Sequence, residues 1–142
     1  MTIDALADRI AICELKARYC RLLDTKQWDA WSDLFAEDFV LDTSEAGGPP
    51  PIAGRMAALA SVRAFIETAR TVHQVHSPEI SIDGDLAHGI WAIQDRVVLD
   101  SGSSLTGYGH YMESYTKRDG TWRIATSKLT RLFVDFNEPE VA

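Results

Sequence analysis

The sequence predicts an α+β fold in which helices come first and an antiparallel meander follows. Three observations lead there. Apolar residues recur at helical spacing through the first half of the chain and at a period of two from Val72 onward. Asp83-Gly84 and Asp119-Gly120 mark turns between the first two and the last two strands of the second half. The Gly/Pro-rich break from Gly47 to Pro51 is too short for a domain linker, so residues 1–142 read as one domain.

In order, a first helix runs from about Ile3 to Leu23. Leu6, Ile10, Cys13, Ala17 and Cys20 mark one apolar stripe on it, and Ile12, Leu15, Tyr19, Leu22 and Leu23 mark a second. An apolar surface that wide suits a helix wedged between a sheet and other helices. Thr25 to Phe35 reads as a short second helix, with Trp28, Trp31, Leu34 and Phe35 at helical spacing. Phe39 to Thr43 reads as a short strand, and Ala57 to Ala69 as a third helix presenting Val62, Phe65, Ile66 and Ala69. Four strands complete the chain, at Val72 to Ile82, Ala87 to Asp100, Tyr108 to Lys117 and Trp122 to Asp135.

Composition narrows the class. Apolar residues make up 46% and charged residues 25%, an ordinary globular balance. No apolar run approaches the roughly 20 residues of a membrane-spanning helix. MTIDALADRI mixes acids with apolar residues and lacks the basic start of a signal peptide, so a cytoplasmic protein is expected. A net charge of -7 argues against nucleic acid as a partner, while leaving room for a small anion held by one arginine. Cys13 and Cys20 lie on one helical face two turns apart, about 10 Å of rise, too far to pair with each other. Neither they nor the histidines show zinc-ligand spacing, so no metal site is expected.

The informative residues are polar where the pattern calls for apolar. In the long strand, Asp95 shares a period-two face with Ala87, Gly89, Trp91, Ile93, Val97 and Leu99. It is either buried and paired, or returned to solvent by a slip of the strand. In the last strand, Arg131 shares a face with Ala125, Ser127, Leu129 and Phe133. It is a partner for Asp95, an anchor for a substrate oxygen, or a side chain reaching water at the strand end. His73 and His76, three apart, point to opposite faces if the strand is regular, so one can be interior and the other outside or at the rim. His110 alternates with Tyr108, Met112 and Ser114 and either lines a pocket or fills space. Asp24 closes the first helix, where the helix dipole disfavours an acid. It starts a turn or orients a histidine. Tyr19 interrupts an apolar stripe with a hydroxyl that needs a partner if buried.

Three segments, RYCRLLDTKQWDAWSDLFAEDF, VHQVHSPEISIDGDLAHGIWAIQDR and GYGHYMESYTKRDGTWRIATSKLTRL, resemble the SnoaL-like (nuclear transport factor 2-like) family, and within it the scytalone dehydratase-like branch. The bile-acid 7α-dehydratases of that branch share a similar Y-x4-D, H-x2-H-x-P-E-I and W-x3-D-R, and an arginine soon after the D-G-x-W turn. Thr43 departs from the pattern where a pocket tyrosine is expected, and His110 takes a place usually held by another residue. The resemblance implies a strongly curved mixed or antiparallel sheet closed into a cone by three helices, the cystatin-like α+β barrel, with no cofactor. It also implies a homo-oligomer, a trimer ahead of a dimer. The pocket set it implies is Tyr19, Asp24, His73, Asp95 and Arg131. The activity implied is that of a dehydratase eliminating water from a hydrophobic hydroxy-ketone, a 7α-hydroxy-3-oxo steroid being the leading candidate.

On that reading His73 is the base, Asp24 holds its other nitrogen and Tyr19 donates to the developing enolate. Asp95, Arg131, His110 and Trp91 bind substrate or support the site. Trp91, Met112, Phe133 and the small Gly89 suggest a small hydrophobic, polycyclic guest. Isomerisation, cyclisation and dehydrohalogenation remain alternatives in the same cone, as does a non-catalytic module for hydrophobic ligands.

Overall fold

The computed structural model describes residues 1–139. Helix α1 spans Ile3–Asp24, with Thr2 as its N-cap accepting the Ala5 N–H at 3.0 Å and Asp4 in the favourable first turn. Its two stripes differ in fate. Ile12, Leu15, Tyr19, Leu22 and Leu23 form the core face, whereas Leu6 and Ile10 of the other stripe are about half exposed. Lys16, on the core face, is fully buried.

The end of α1 is built to hold Asp24. The Lys26 N–H bonds the Leu23 carbonyl and the Gln27 N–H bonds the Leu22 carbonyl, the two bonds of a Schellman turn. Such a turn needs a left-handed residue, and here it is Lys26 (φ 59°) where glycine is usual.

Helix α2 is shorter than its apolar spacing predicts, Trp28–Ser32 only. The Leu34 carbonyl accepts the Ile124 N–H at 2.9 Å, so backbone pairing captures the chain before a longer helix can form. Strand β1 accordingly starts early, at Phe35–Asp42, followed by a single helical turn at Ser44–Ala46 and a two-residue strand β2, Ile52–Ala53. Helix α3 is Arg55–Ile66. The meander is β3 Arg70–Asp83, β4 Leu86–Val98, β5 Ser104–Arg118 and β6 Thr121–Asn137.

These strands make one six-stranded sheet in the order β2-β1-β6-β5-β4-β3. It is mixed, because β1 runs parallel to β6 while the other neighbours are antiparallel. Asp119 and Gly120 both take positive φ, as a tight two-residue hairpin requires. The sheet is curved but does not close on itself, and the helices cover its concave side. Curvature follows from strands of 13 to 17 residues interrupted by irregularities in register. One falls between His76 and Glu79, where Ser77 has φ 50°. Among the described residues no helix is long and apolar enough to cross a membrane.

The inner face of β4 carries Ala87, Gly89, Trp91, Ile93, Asp95 and Val97, all buried. The inner face of β5 carries Gly107, Gly109, Tyr111, Glu113 and Tyr115. Strand alternation therefore puts Tyr108, His110, Met112 and Ser114 on the outer face. The expectation that His110 supports the pocket is corrected by that parity. In β6 the bulge opposite Ser114/Tyr115 puts Trp122 and Ile124 inside, and the one opposite Tyr108/Gly109 turns Phe133 out. Met112 and Phe133 are thus outside, and neither lines the interior.

Candidate active site

The interior surface brings together Asp24, His73, Tyr19, Asp95 and Arg131, with Trp91 below them. His73 Nδ1 lies 2.6 Å from Asp24 Oδ1, and the His73 backbone N–H donates to Asp24 Oδ2 at 2.7 Å. A carboxylate only accepts, so Nδ1 carries the hydrogen, and in the neutral imidazole Nε2 keeps its lone pair. The Thr71 hydroxyl donates to Asp24 Oδ1 at 3.0 Å and accepts from Lys26 Nζ at 2.6 Å. The left-handed Lys26 thus adds its amine to the chain that fixes the carboxylate. Burial pulls the Lys26 ammonium below its ordinary range, against the pull of Asp24. His76, three residues on, faces solvent, with its Nδ1 3.1 Å from Ser77 Oγ.

His73 and Asp95 are directly opposed in the β3–β4 register, so their side chains leave the same face of the sheet. Asp95 is buried and held by a two-pronged bond from Arg131, Nη1 to Oδ1 at 2.5 Å and Nη2 to Oδ2 at 3.0 Å. Burial works against the Arg131 charge, but the hydrogen bond and charge of Asp95 outweigh it and hold the guanidinium protonated. The open space for this fork comes from Gly107, which lies beside Asp95 on the neighbouring strand.

Beneath the dyad lies a network that the periodicity did not single out. Lys16 Nζ donates to Glu113 Oε2 at 3.0 Å, with both side chains fully buried. Glu113 also accepts from Ser127 Oγ at 2.7 Å and Tyr115 Oη at 2.8 Å, and Tyr115 accepts from Trp91 Nε1 at 2.9 Å. Trp91 is therefore a member of this floor, where its indole N–H is already used. A side chain at Gly89 would meet the Tyr115 ring at 3.0 Å, so the space beside it is filled by protein. Tyr19 Oη lies 3.4 Å from Tyr111 Oη, and burial pushes both phenols well above their ordinary range. Trp31 packs near Tyr19 and Phe35, and its buried indole N–H has no partner among the described residues.

Lys16 and Glu113 carried a signal in the sequence. Lys16 is four residues after Ile12 and seven before Leu23, both on the core stripe, and Glu113 alternates with Tyr111 and Tyr115.

A curved sheet capped by helices, with a histidine–carboxylate dyad and a buried carboxylate–guanidinium fork on its inner face, defines an α+β protein of the curved-sheet-and-helix class. The chain belongs to the SnoaL-like domain family, which matches residues 4–128. Solved structures share the whole architecture. A Kribbella flavida protein superposes with TM-score 0.85 at 24% identity, over 92% of this chain and 95% of its own. A hexachlorocyclohexane dehydrochlorinase from Novosphingobium barchaimii gives 0.83 at 18% identity, over 99% and 98%. A scytalone dehydratase-like protein from Novosphingobium aromaticivorans gives 0.83 at 20%, over 100% and 94%. At these identities the likeness is one of fold.

Proposed function

We propose that the protein is a lyase of the dehydratase type, eliminating water from a hydrophobic hydroxy-ketone with its own side chains. The observation that carries this reading is the Asp24–His73 dyad. With both Asp24 oxygens committed, His73 is held in one tautomer and Nε2 is free to accept a proton. His73 Nε2 removes the proton next to the ketone, and the C–H electron pair moves into an enolate. Tyr19 donates to the enolate oxygen, and the Asp24 charge stabilises the imidazolium. Collapse of the enolate expels hydroxide, which takes the proton back from Nε2 and leaves as water. The Arg131–Asp95 fork, directly beside the dyad, holds the substrate in register.

Ultraviolet absorbance tests the reading on β- and vinylogous hydroxy-ketones, including a 7α-hydroxy-3-oxo-Δ4 steroid acid. Extended-enone absorbance should grow with the wild type, and His73→Ala should be slower by about two to four orders of magnitude. Unchanged turnover in His73→Ala refutes the base. Tight binding of the panel without turnover in the wild type favours a binding module. A chlorinated analogue belongs in the panel because the same base serves loss of hydrogen chloride, and product identity separates the two chemistries.

A further inference from the structure

Among the described residues, the Tyr19–Tyr111 hydroxyl pair leaves one of its two O–H groups without a protein acceptor. Two O–H groups face one another, and among the described residues the bond between them is the only one either makes. One mutual bond uses one proton, so a second has no protein acceptor. At 3.4 Å that bond is at the weak limit of the range, and both hydroxyls have little to lose by turning to a better acceptor. Tyr111 is 5% exposed, stands on the same face of β5 as Gly107 and Gly109, and lies within electrostatic reach of both Asp95 and Arg131. It joins the helix side of the site, where Tyr19 sits, to the sheet side, where the fork sits.

Behind the pair is a cation. Lys16 Nζ is 3.6 Å from the Tyr19 ring centroid and 3.8 Å from that of Tyr111, while Glu113 holds it from the other side. A buried ammonium against two phenol faces draws electron density from both rings. Burial keeps both phenols protonated, so each keeps an O–H to donate, and the cation holds the two rings in place behind an oxygen that gains negative charge. The same cation does little for a neutral ligand.

We propose that Tyr111 is a second donor to the substrate oxygen, forming a two-phenol clamp with Tyr19, and that Lys16 is the positioning residue behind both. The clamp takes an enolate or phenolate oxygen in preference to an ether or neutral ketone. It deepens the elimination reading by naming where the negative oxygen sits, and rests on that reading for its part in turnover.

Binding of 4-nitrophenolate, followed by the shift in its visible absorbance, is compared with binding of neutral 4-nitroanisole. The wild type should prefer the phenolate. Tyr111→Phe should lower that preference by roughly ten- to a hundredfold, as loss of one hydrogen bond to a charged group implies, while anisole binding holds. The paired variant Lys16→Met with Glu113→Gln leaves no lone buried charge. It too should lose phenolate preference and keep anisole binding, which a merely structural role would not produce. His73→Ala should retain the preference. A wild type without preference, or a Tyr111→Phe that keeps it, overturns the clamp. A paired variant that keeps it overturns the role of Lys16. Tyr111-dependent preference without turnover of any hydroxy-ketone keeps the clamp and discards elimination, whereas turnover with unimpaired Tyr111→Phe does the reverse.

Discussion

Gly107 is the space in which the Arg131 guanidinium lies. A Cβ on residue 107 would stand 2.3 Å from Arg131 Nη1 and 2.7 Å from Asp95 Oδ1. Both obstacles are side-chain ends, the guanidinium of Arg131 and the Asp95 carboxylate, so Gly107→Ala should displace the fork while the strand survives. At Gly109 the obstacle is backbone, the Thr130 carbonyl oxygen at 1.9 Å, which moves only if the β5–β6 ladder moves. Urea unfolding should therefore rank the variants. Gly107→Ala should lose about 1–3 kcal/mol, mostly by leaving Asp95 buried without its partner, and Gly109→Ala should lose more. The opposite order would show that the fork, and not the ladder, is the more rigid feature.

Much of this arrangement was legible because polar residues stand out against a regular apolar pattern. Asp95 in β4 was readable as inward-facing from strict alternation, whereas alternation left open which of His73 and His76 faces in, and only the family resemblance pointed to His73. The long first helix and the two Asp-Gly turns followed from local chemistry that tertiary contacts do not override. What escaped had two physical causes. Bulges change parity, so the face read for β6 was right at Ser127, Leu129 and Arg131 but wrong at Phe133. Strand β5 is ambiguous because both faces carry aromatic side chains, and the reading followed Tyr108, His110 and Met112 instead of Tyr111, Glu113 and Tyr115. Lys16 was passed over because a lysine within a wide apolar stripe ordinarily extends its stem to water. Here Glu113, on a strand distant in sequence, supplies the counter-charge that lets it stay.

Asp24→Asn should separate orientation from charge. The amide can still accept from the His73 N–H or the Thr71 hydroxyl, so the fold should persist with little change in thermal midpoint. Turned the other way, its NH2 group donates to Nδ1 and stabilises the tautomer with the hydrogen on Nε2, which cannot act as a base. Turnover should fall by roughly 10²–10⁴. Imidazole nitrogen NMR should show the protonated position exchanged between the two nitrogens. Wild-type turnover with the tautomer reversed would remove the dyad from the mechanism.

The Lys16–Glu113 pair should behave as a buried pair does when one member is taken away. Lys16→Met alone leaves a carboxylate in the core, and Glu113→Met alone leaves an ammonium there. Each should cost about 3–5 kcal/mol. The double variant should recover part of that loss, since no buried charge is left, while the Ser127 and Tyr115 hydroxyls still lose their acceptor. A double-mutant cycle in urea measures the coupling. Losses that simply add would mean that Lys16 and Glu113 stabilise the floor independently, through Tyr19 and Tyr111 on one side and Ser127 and Tyr115 on the other.

Asp8 provides an acid-sensitive tie between α1 and the sheet. It accepts from Trp122 Nε1 at 2.9 Å and from Lys117 Nζ at 3.1 Å. Those hydrogen bonds, Trp122 first and Lys117 next, hold its carboxyl below the usual carboxylate range despite the cost of desolvation. A carboxyl depressed on folding stabilises the native state at pH values above its unfolded pKa, about 3.9. That contribution fades as the pH falls through the lower, folded value. Wild type should therefore exceed Asp8→Asn in urea midpoint by a constant margin near neutrality. The margin should start to shrink near pH 4 and continue to close below it, where both side chains are uncharged. The effect should be modest, because Asp8 and Lys117 are partly solvent-screened. A margin that stays constant to the acid end of the series would assign the difference to shape and hydrogen bonding at Trp122, not to the charge of Asp8.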